Sequence, residues 1–363
     1  MSVIIFIIIL GVLIFVHELG HFLVAKKSGI RVDEFAIGFP PKIFSFVKGG
    51  TKYALNLIPF GGYVKIFGEN PNEESLDANA KDSFVNKSKW TQASVLVAGV
   101  LFNTLFAWLL ISVSLMSGFP SVVTDTNTGT VIDKSVVVTS VLEDSPAEEI
   151  GLQSGDKIIS LSSGERILEG EFRTFDVQSF VKGSGSDEIN LNIVRSGDDI
   201  SLTAVTEEGV IEGRRAIGIS MEMIGTVKLS FFQAFKEGFL MTGQMISDIA
   251  VGLVTFLGQV VTFQANFANV AGPVGIVGLV DDASNFGLFY LFGFTAFISL
   301  NLAVLNLLPF PALDGGRLLF VAIEGIIGRP IKPSIANTIN ALGFGVLILL
   351  MIVITVSDVM KLF

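Results

Sequence analysis

Four apolar stretches, each long enough to cross a bilayer as a helix, set the first limit on how this chain can fold. They run from about Val3 to Ala25, Ala93 to Met116, Phe286 to Leu308 and Ile339 to Val356. A spanning helix needs about 20 predominantly apolar residues, because hydrocarbon offers no water to satisfy a bare peptide group. Half of the 363 residues are hydrophobic and 16% are charged, a balance too apolar for a soluble domain. The expected class is an α-helical polytopic membrane protein with four transmembrane helices and some soluble mass between them. The first stretch reads as a span rather than a signal peptide: no Lys or Arg precedes it, and no clean small-x-small cleavage site follows.

Charge distributes the rest. Residues 24–89 carry ten Lys and Arg, which places this loop in the cytoplasm by the positive-inside rule. The second span then delivers residues 118–230 outside, the third returns, and the fourth leaves both termini extracytoplasmic. Residues 118–230 hold nineteen Asp and Glu against nine Lys and Arg, which accounts for the whole formal net charge of −10. Nucleic acid is excluded as a partner, since it would require a basic face. The absence of cysteine excludes disulfides, iron–sulfur clusters, thiolate zinc sites and cysteine nucleophiles.

Four regions follow: an N-terminal membrane region (1–117), an extracytoplasmic domain (118–228), a connector (229–285) and a C-terminal membrane region (286–363). The loop at 29–68 reads as a β-hairpin or small sheet, with turns at Gly49-Gly50 and Gly61-Gly62. It is apolar for a cytoplasmic loop, so association with the membrane and packing on the helix ends are both open. In 118–228, short β-rich runs alternate with turns, and Ser145 with Pro146 signals the start of a short helix. The Ser145-Pro-Ala, Gly151-Leu152 and Gly155-Asp156 elements resemble a PDZ domain, an α+β module of about this size. Residues 229–263 mix Phe231, Phe232, Phe235 and Phe239 with Lys236, Glu237 and Asp248. They are expected to form an amphipathic helix at the outer interface, with a fifth span as the alternative.

The chemistry concentrates in Val16-His17-Glu18-Leu19-Gly20-His21. The chain has two histidines, and both are here, one helical turn apart. Positions i and i+4 share a helix face, so both imidazoles can reach one ion, and Glu18 can take a proton from water activated by it. Ionisable side chains inside a membrane helix are costly and usually functional, which favours ligands over hydrogen-bonded core histidines. Catalytic zinc usually has three protein ligands. Without Cys or further His, the third must be Asp or Glu. Asp248, Asp281, Asp282 and Asp358 fall toward the outer side, whereas His21 lies toward the cytoplasm. Asp314 and Glu324 remain. Asp314 has the more unusual backbone, Asn306-Leu-Leu-Pro-Phe-Pro-Ala-Leu-Asp314-Gly-Gly316, in which prolines end a helix and glycines permit close approach.

An HExGHF sequence in a first span, paired with NxxPxPxLDGG after a later one, resembles the site-2 protease family (peptidase M50) in its bacterial RseP-like branch. Gly38-Phe-Pro-Pro-Lys42, Gly61-Gly-Tyr-Val-Lys65, Ala98-Gly99 with Asn103, and Gly272-Pro-Val-Gly275 extend the likeness over nearly the whole chain. The resemblance implies Zn2+ held by His17, His21 and Asp314, Glu18 as catalytic carboxylate, and a membrane-associated β-hairpin at 29–68. It implies regulated intramembrane proteolysis of single-span membrane proteins, often anti-sigma factors already cut outside, at the bacterial inner membrane with the active site toward the cytoplasm. Val100 departs from the family's usual Pro, and one PDZ domain stands where some relatives have two.

Asn306 and Asn103 are candidates for positioning an unwound substrate or its oxyanion, with helix bridging as the alternative. The PDZ domain is expected either to bind peptide C-termini or to exclude bulky substrates. Two other functions compete: a pseudoprotease or scaffold that binds peptides without cutting, and a metal transporter. The latter needs a polar pathway that the second and fourth spans lack.

Overall fold

The computed structural model describes residues 2–69, 80–122, 130–142, 144–185, 188–195, 197–211, 214–262, 264, 270–285, 287–329 and 331–361. Two compact units emerge, one formed by Met1–Ser112 with Phe235–Phe363, the other by Val113–Ala234. The second encloses the domain expected at 118–228.

In the first unit, α1 (Ser2–Lys27) and α2 (Lys89–Ser117) cross at very small side chains. A Cβ on Gly20 would lie 2.5 Å from the Ala98 carbonyl oxygen. Helices in lipid gain little from apolar burial against each other, so close backbone approach at such residues is what binds them. With Val100 in place of the family's Pro, α2 runs as one unbroken helix past Gly99 and Asn103.

Between these helices lie β1 (Val32–Lys48) and β2 (Thr51–Ile66), antiparallel and joined through Gly49-Gly50. Both glycines have positive φ, 58° and 75°, as a two-residue hairpin turn requires. The register places Glu34 opposite both Lys52 and Lys65. The chain therefore bends at Gly61 and lays its last residues along the other side of β1. The sheet packs on α1 through Phe35, which meets Phe15 and Phe22 edge-on with ring centroids 5.9 and 5.2 Å apart. Its far end exposes Phe39, Ile43, Phe44, Val47 and Leu57.

Among the described residues, five helices are long and apolar enough to cross a membrane by length and composition: α1, α2, α5 (Phe231–Val261), α7 (Leu288–Leu307) and α9 (Pro333–Met360). The fifth candidate is α5, the segment expected to be interfacial. Between α5 and α7 lies the short α6 (Pro273–Asn285), and α8 (Asp314–Ile327) lies between α7 and α9. Neither α6 nor α8 was anticipated. Ile276 and Val280 of α6 pack with Ile9 and Leu13 of α1 and Leu302 of α7. Asp358, buried near the end of α9, accepts the Gly275 N–H of α6 at 2.8 Å.

The second unit contains a seven-stranded sheet. Its strands are β3 (Phe119–Val122), β4 (Thr130–Val141), β5 (Lys157–Ser163), β6 (Arg166–Glu169), β7 (Glu188–Arg195), β8 (Asp198–Val205) and β11 (Ile219–Lys228). They are ordered β3-β11-β4-β5-β7-β8, with β6 beside β5, and β9 (Glu207–Ile211) pairs separately with β10 (Arg214–Ala216). Alternate residues Ile189, Leu191 and Ile193 point into a core shared with Val136, Ile158 and Leu161. Val177 and Phe180 of α4 (Thr174–Gly183) complete it. The short α3 (Pro146–Glu149) begins as expected, with Ser145 capping the Glu148 N–H and Pro146 in its first turn. Asp156, fully buried, accepts two bonds of 2.7 Å from the Arg195 guanidinium and one from the Gln153 N–H. A buried carboxylate is tolerable only when paired in this way.

Candidate metal centre

His17 and His21 sit one turn apart on the face of α1 that meets α2. Gly99 is what lets the two helices close around them. A Cβ there would lie 2.7 Å from His17 Nε2 and closer still to His21 Nε2. No side chain fits, so Gly99 belongs to the site although it has no functional group. The signal in the sequence was only the Ala98-Gly99 pair opposite a helix carrying Gly20.

Asp314 arrives from nearly three hundred residues away. It is the first residue of α8, where a carboxylate is favoured by the helix dipole. The turn that delivers it is tight: Ala312 has φ 73°, a left-handed conformation unusual for a residue with a Cβ. Gly315 faces the carbonyls of Leu307 and Leu308, and Gly316 faces that of Phe310, with no room for a Cβ at either. Gly343 of α9 closes the other side, where a Cβ would lie 2.5 Å from Pro311 Cβ. The glycines singled out in the sequence for close approach therefore serve the loop itself, folding it back onto α7.

The three groups converge. Asp314 Oδ2 lies 3.0 Å from His17 Nε2 and 3.2 Å from His21 Nε2, and the two nitrogens are 3.1 Å apart. Burial pushes the Asp314 carboxyl up, but the two imidazoles beside it pull it further down, leaving it below the usual carboxylate range. An ionised carboxylate and two imidazoles form a donor set suited to Zn2+ rather than to the all-oxygen sites of Mg2+ or Ca2+. Ligand atoms around tetrahedral zinc stand about 3.3 Å apart at ordinary bond lengths, so the cluster needs to open by a few tenths of an ångström to fit. His21 Nδ1 lies 2.8 Å from the Val95 carbonyl oxygen, an acceptor that fixes its proton there and leaves Nε2 free for a metal. Among the described residues, this is the one cluster of three or more His, Asp or Glu groups placed to hold an ion.

The competing carboxylates are engaged or distant. Glu324 Oε2 holds Lys89 Nζ at 2.6 Å, and Oε1 accepts the Ile331 N–H at 2.9 Å. Asp281 accepts from Ser2, Asp358 from Gly275, and Asp248 is exposed. The Asp282 side chain lies outside the described residues.

Two cavities meet at the cluster, and Glu18 lines both. The larger, of about 650 Å³, is polar: Arg31, Asp33, Lys65, Glu69 and Arg317 line it with His17, His21 and Asp314. Glu69 and Arg317 form an ion pair, so Glu69 is not a free carboxylate competing with Glu18. The smaller, of about 310 Å³, is more apolar, with Leu13, Ile14, Leu302 and Leu313 around Asn103 and Asn306. Both candidate asparagines thus face the cavity that Glu18 shares. The Asn103 amide also lies 3.5 Å from His17 Nδ1.

Gly99→Ala is expected to lower zinc affinity by roughly 10- to 100-fold, the range for changes just outside a ligand set. The added methyl must displace at least one imidazole. Chelator competition on the purified chain measures this, and unchanged affinity would show that α2 can retreat without disturbing the ligands.

The sequence profile described as peptidase family M50 matches residues 5–350. A Clostridium perfringens chain named as a zinc metalloprotease is 36% identical over 96% of this chain and 95% of its own length. The zinc metalloprotease RasP of Geobacillus kaustophilus is 30% identical, covering 100% of this chain and 98% of its own. The regulator of sigma-W protease RasP of Bacillus subtilis is likewise 30% identical, over 100% and 99%. With the profile spanning almost the whole chain and the HExxH helix facing the Leu-Asp-Gly loop, the chain belongs to peptidase family M50, the site-2 protease family.

Proposed function

We propose that this chain cuts single-span membrane proteins within or beside their transmembrane segments, in regulated intramembrane proteolysis, with Glu18 as catalytic carboxylate and His17, His21 and Asp314 as metal ligands. It is a zinc metalloendopeptidase. The observation that carries the reading is the convergence of two imidazoles from α1 with one carboxylate from α8, beside a cavity that Glu18 also lines.

When bound, zinc polarises the scissile carbonyl and lowers the pKa of the attacking water. Glu18 accepts the proton of that water and passes it to the leaving amine. A peptide bond inside a helix is shielded by its own hydrogen bonds, so the substrate must unwind. An extended segment can add to the open edge of the Tyr63–Ile66 part of β2, which lines the polar cavity beside the ligands. Asn306 faces the apolar cavity and can hold a peptide carbonyl there. The polar cavity supplies water and receives the new charged terminus.

The site also supports a membrane topology. His21 near the end of α1 and Asp314 just past α7 meet at one depth, so both helices end on the same side of the bilayer. The Lys and Arg between α1 and α2 make that side cytoplasmic. The unit at 113–234 is then extracytoplasmic, and α7 starts outside. Val270 and Lys361, at the outer end of α9, lie together, with the Lys361 amine 3.4 Å from the Val270 carbonyl oxygen. If α5 crossed inward, fewer than ten residues would have to return through the bilayer as bare chain, which hydrocarbon does not permit. This parity supports four spans, with α5 lying at the outer interface, although its composition would allow a fifth. The location is assigned to the bacterial inner membrane, which the apolar helices and the bacterial origin of the relatives support.

The sheet domain is assigned as a PDZ-type module that either binds a newly exposed peptide C-terminus or excludes substrates with large outer domains. The capped Ser145-Pro-Ala turn and the buried Asp156 of its Gly-Asp element support this assignment. The substrate class proposed from the family resemblance is anti-sigma factors already cut outside the membrane; the Bacillus subtilis relative is named as a regulator of sigma-W protease.

The test is cleavage of a transmembrane peptide carrying helix-breaking residues, with the purified chain in detergent. Cutting should require zinc, stop with a chelator and return on adding the metal. A well-folded, zinc-loaded chain that cut no such substrate, with or without prior trimming of its outer domain, would overturn the proteolytic reading.

A further inference from the structure

A histidine that binds metal through Nε2 carries its ring proton on Nδ1, and that N–H needs an acceptor. His21 has one in the Val95 carbonyl. His17 faces instead the Asn103 amide, whose nitrogen stands 3.5 Å from Nδ1. Two donors would then oppose each other. At the same time, Asn103 Oδ1 is buried and without a hydrogen-bond partner, which is costly for a buried acceptor. A half-turn of the amide exchanges its nitrogen and oxygen, which heavy-atom positions barely distinguish. That single rotation removes both deficits: Oδ1 comes to the ring and accepts the Nδ1 proton.

The backbone around Asn103 is built to hold this position. Asn103 is four residues after Gly99, so both lie on the face of α2 turned to α1. Gly99 admits the imidazoles, and Asn103 sits beside the first of them. Ser299 of α7, fully buried, donates its hydroxyl to the Asn103 carbonyl oxygen at 2.9 Å. That bond ties the helix leading to Asp314 to the helix supporting His17. Asn103 itself has no exposed surface.

We infer that Asn103 is a positioning residue of the metal centre, its side-chain oxygen accepting the His17 Nδ1 proton and fixing the ring for metal binding. The inference rests on the proposed zinc site, and it assigns Asn103 a task in the resting enzyme rather than one on substrate.

The experiment uses the full chain in detergent with two substitutions. Asn103→Leu keeps the branched shape, though it is larger, and removes the acceptor, whereas Asn103→Asp keeps an acceptor oxygen. Chelator competition should show zinc held roughly 10- to 100-fold more weakly by Asn103→Leu, the range for a lost outer partner of a ligating histidine. Asn103→Asp should bind zinc as tightly as the unsubstituted chain or more so. A second readout needs no loss of affinity. The chain has two histidines, so nitrogen-15 labelling of histidine gives two ring N–H signals in the zinc-loaded protein. Asn103→Asp should move the His17 signal and leave that of His21 in place. Wild-type zinc affinity in Asn103→Leu, or an unmoved His17 signal in Asn103→Asp, would overturn the assignment and return Asn103 to the substrate. Failure of the unsubstituted chain to bind one zinc would instead strike the metal site itself.

Discussion

Glu18→Gln is expected to abolish peptide cleavage while leaving the zinc content at one per chain. Glu18 follows His17, the first proposed ligand, on α1 and lines both cavities that meet at the candidate metal centre, yet it is not one of the three converging groups. Glutamine is nearly isosteric with glutamate, so the packing around the side chain is expected to survive. What is lost is the ability to accept a proton from the attacking water. General acid–base catalysis is worth roughly 10²- to 10⁴-fold, so turnover should fall by that factor or more. The other carboxylates lining the polar cavity apart from Asp314 do not replace it, because Glu69 is paired with Arg317 and Asp33 with Arg31. Initial rates on a helix-destabilised transmembrane peptide, measured beside metal analysis of the same preparation, separate the two effects. Normal turnover by a zinc-loaded Glu18→Gln chain would remove Glu18 from the mechanism, and loss of zinc would make it a structural prop.

The catalytic helix was legible in the sequence because its signal is local. A turn of helix fixes the spacing of His17 and His21, and the apolar surroundings make the ionisable groups conspicuous. The partner carboxylate was narrowed to Asp314 or Glu324 by topology, and what separates them is tertiary: Glu324 is taken by Lys89. Gly99 escaped as a site residue because its contribution is the absence of a side chain, and absence shows only once the opposing imidazoles are in place. Strands of the sheet domain were legible as short β-rich runs set between turns, as at Ile189–Val194. The helix α4 was missed because ten residues give too few turns for a period to stand out. In the hairpin, the turn at Gly49-Gly50 was readable. The pairing of β1 on both of its sides was not, since it depends on where the chain bends back at Gly61. For α5, composition speaks for crossing and the position of the metal centre speaks against it, a conflict that no local pattern can resolve.

Asp314→Ala is expected to leave the purified chain almost free of zinc and without cleavage, whereas Glu324→Ala keeps its zinc. Two imidazoles on one helix turn are a weak pair by themselves. As the proposed third ligand, Asp314 would both supply charge and join α8 to α1, since its Oδ2 is within 3.2 Å of both nitrogens. Asp314→Ala also leaves the loop geometry in place. The close approaches of Gly315 and Gly316 to the Leu307, Leu308 and Phe310 carbonyls involve backbone alone. The loss therefore reads the ligand rather than the fold. Glu324→Ala releases Lys89 and the Ile331 N–H, which lowers thermal stability through the end of α8 without touching the metal. Zinc kept by Asp314→Ala and lost from Glu324→Ala would move the third ligand about three turns along α8, and with it the depth at which the peptide bond is cut.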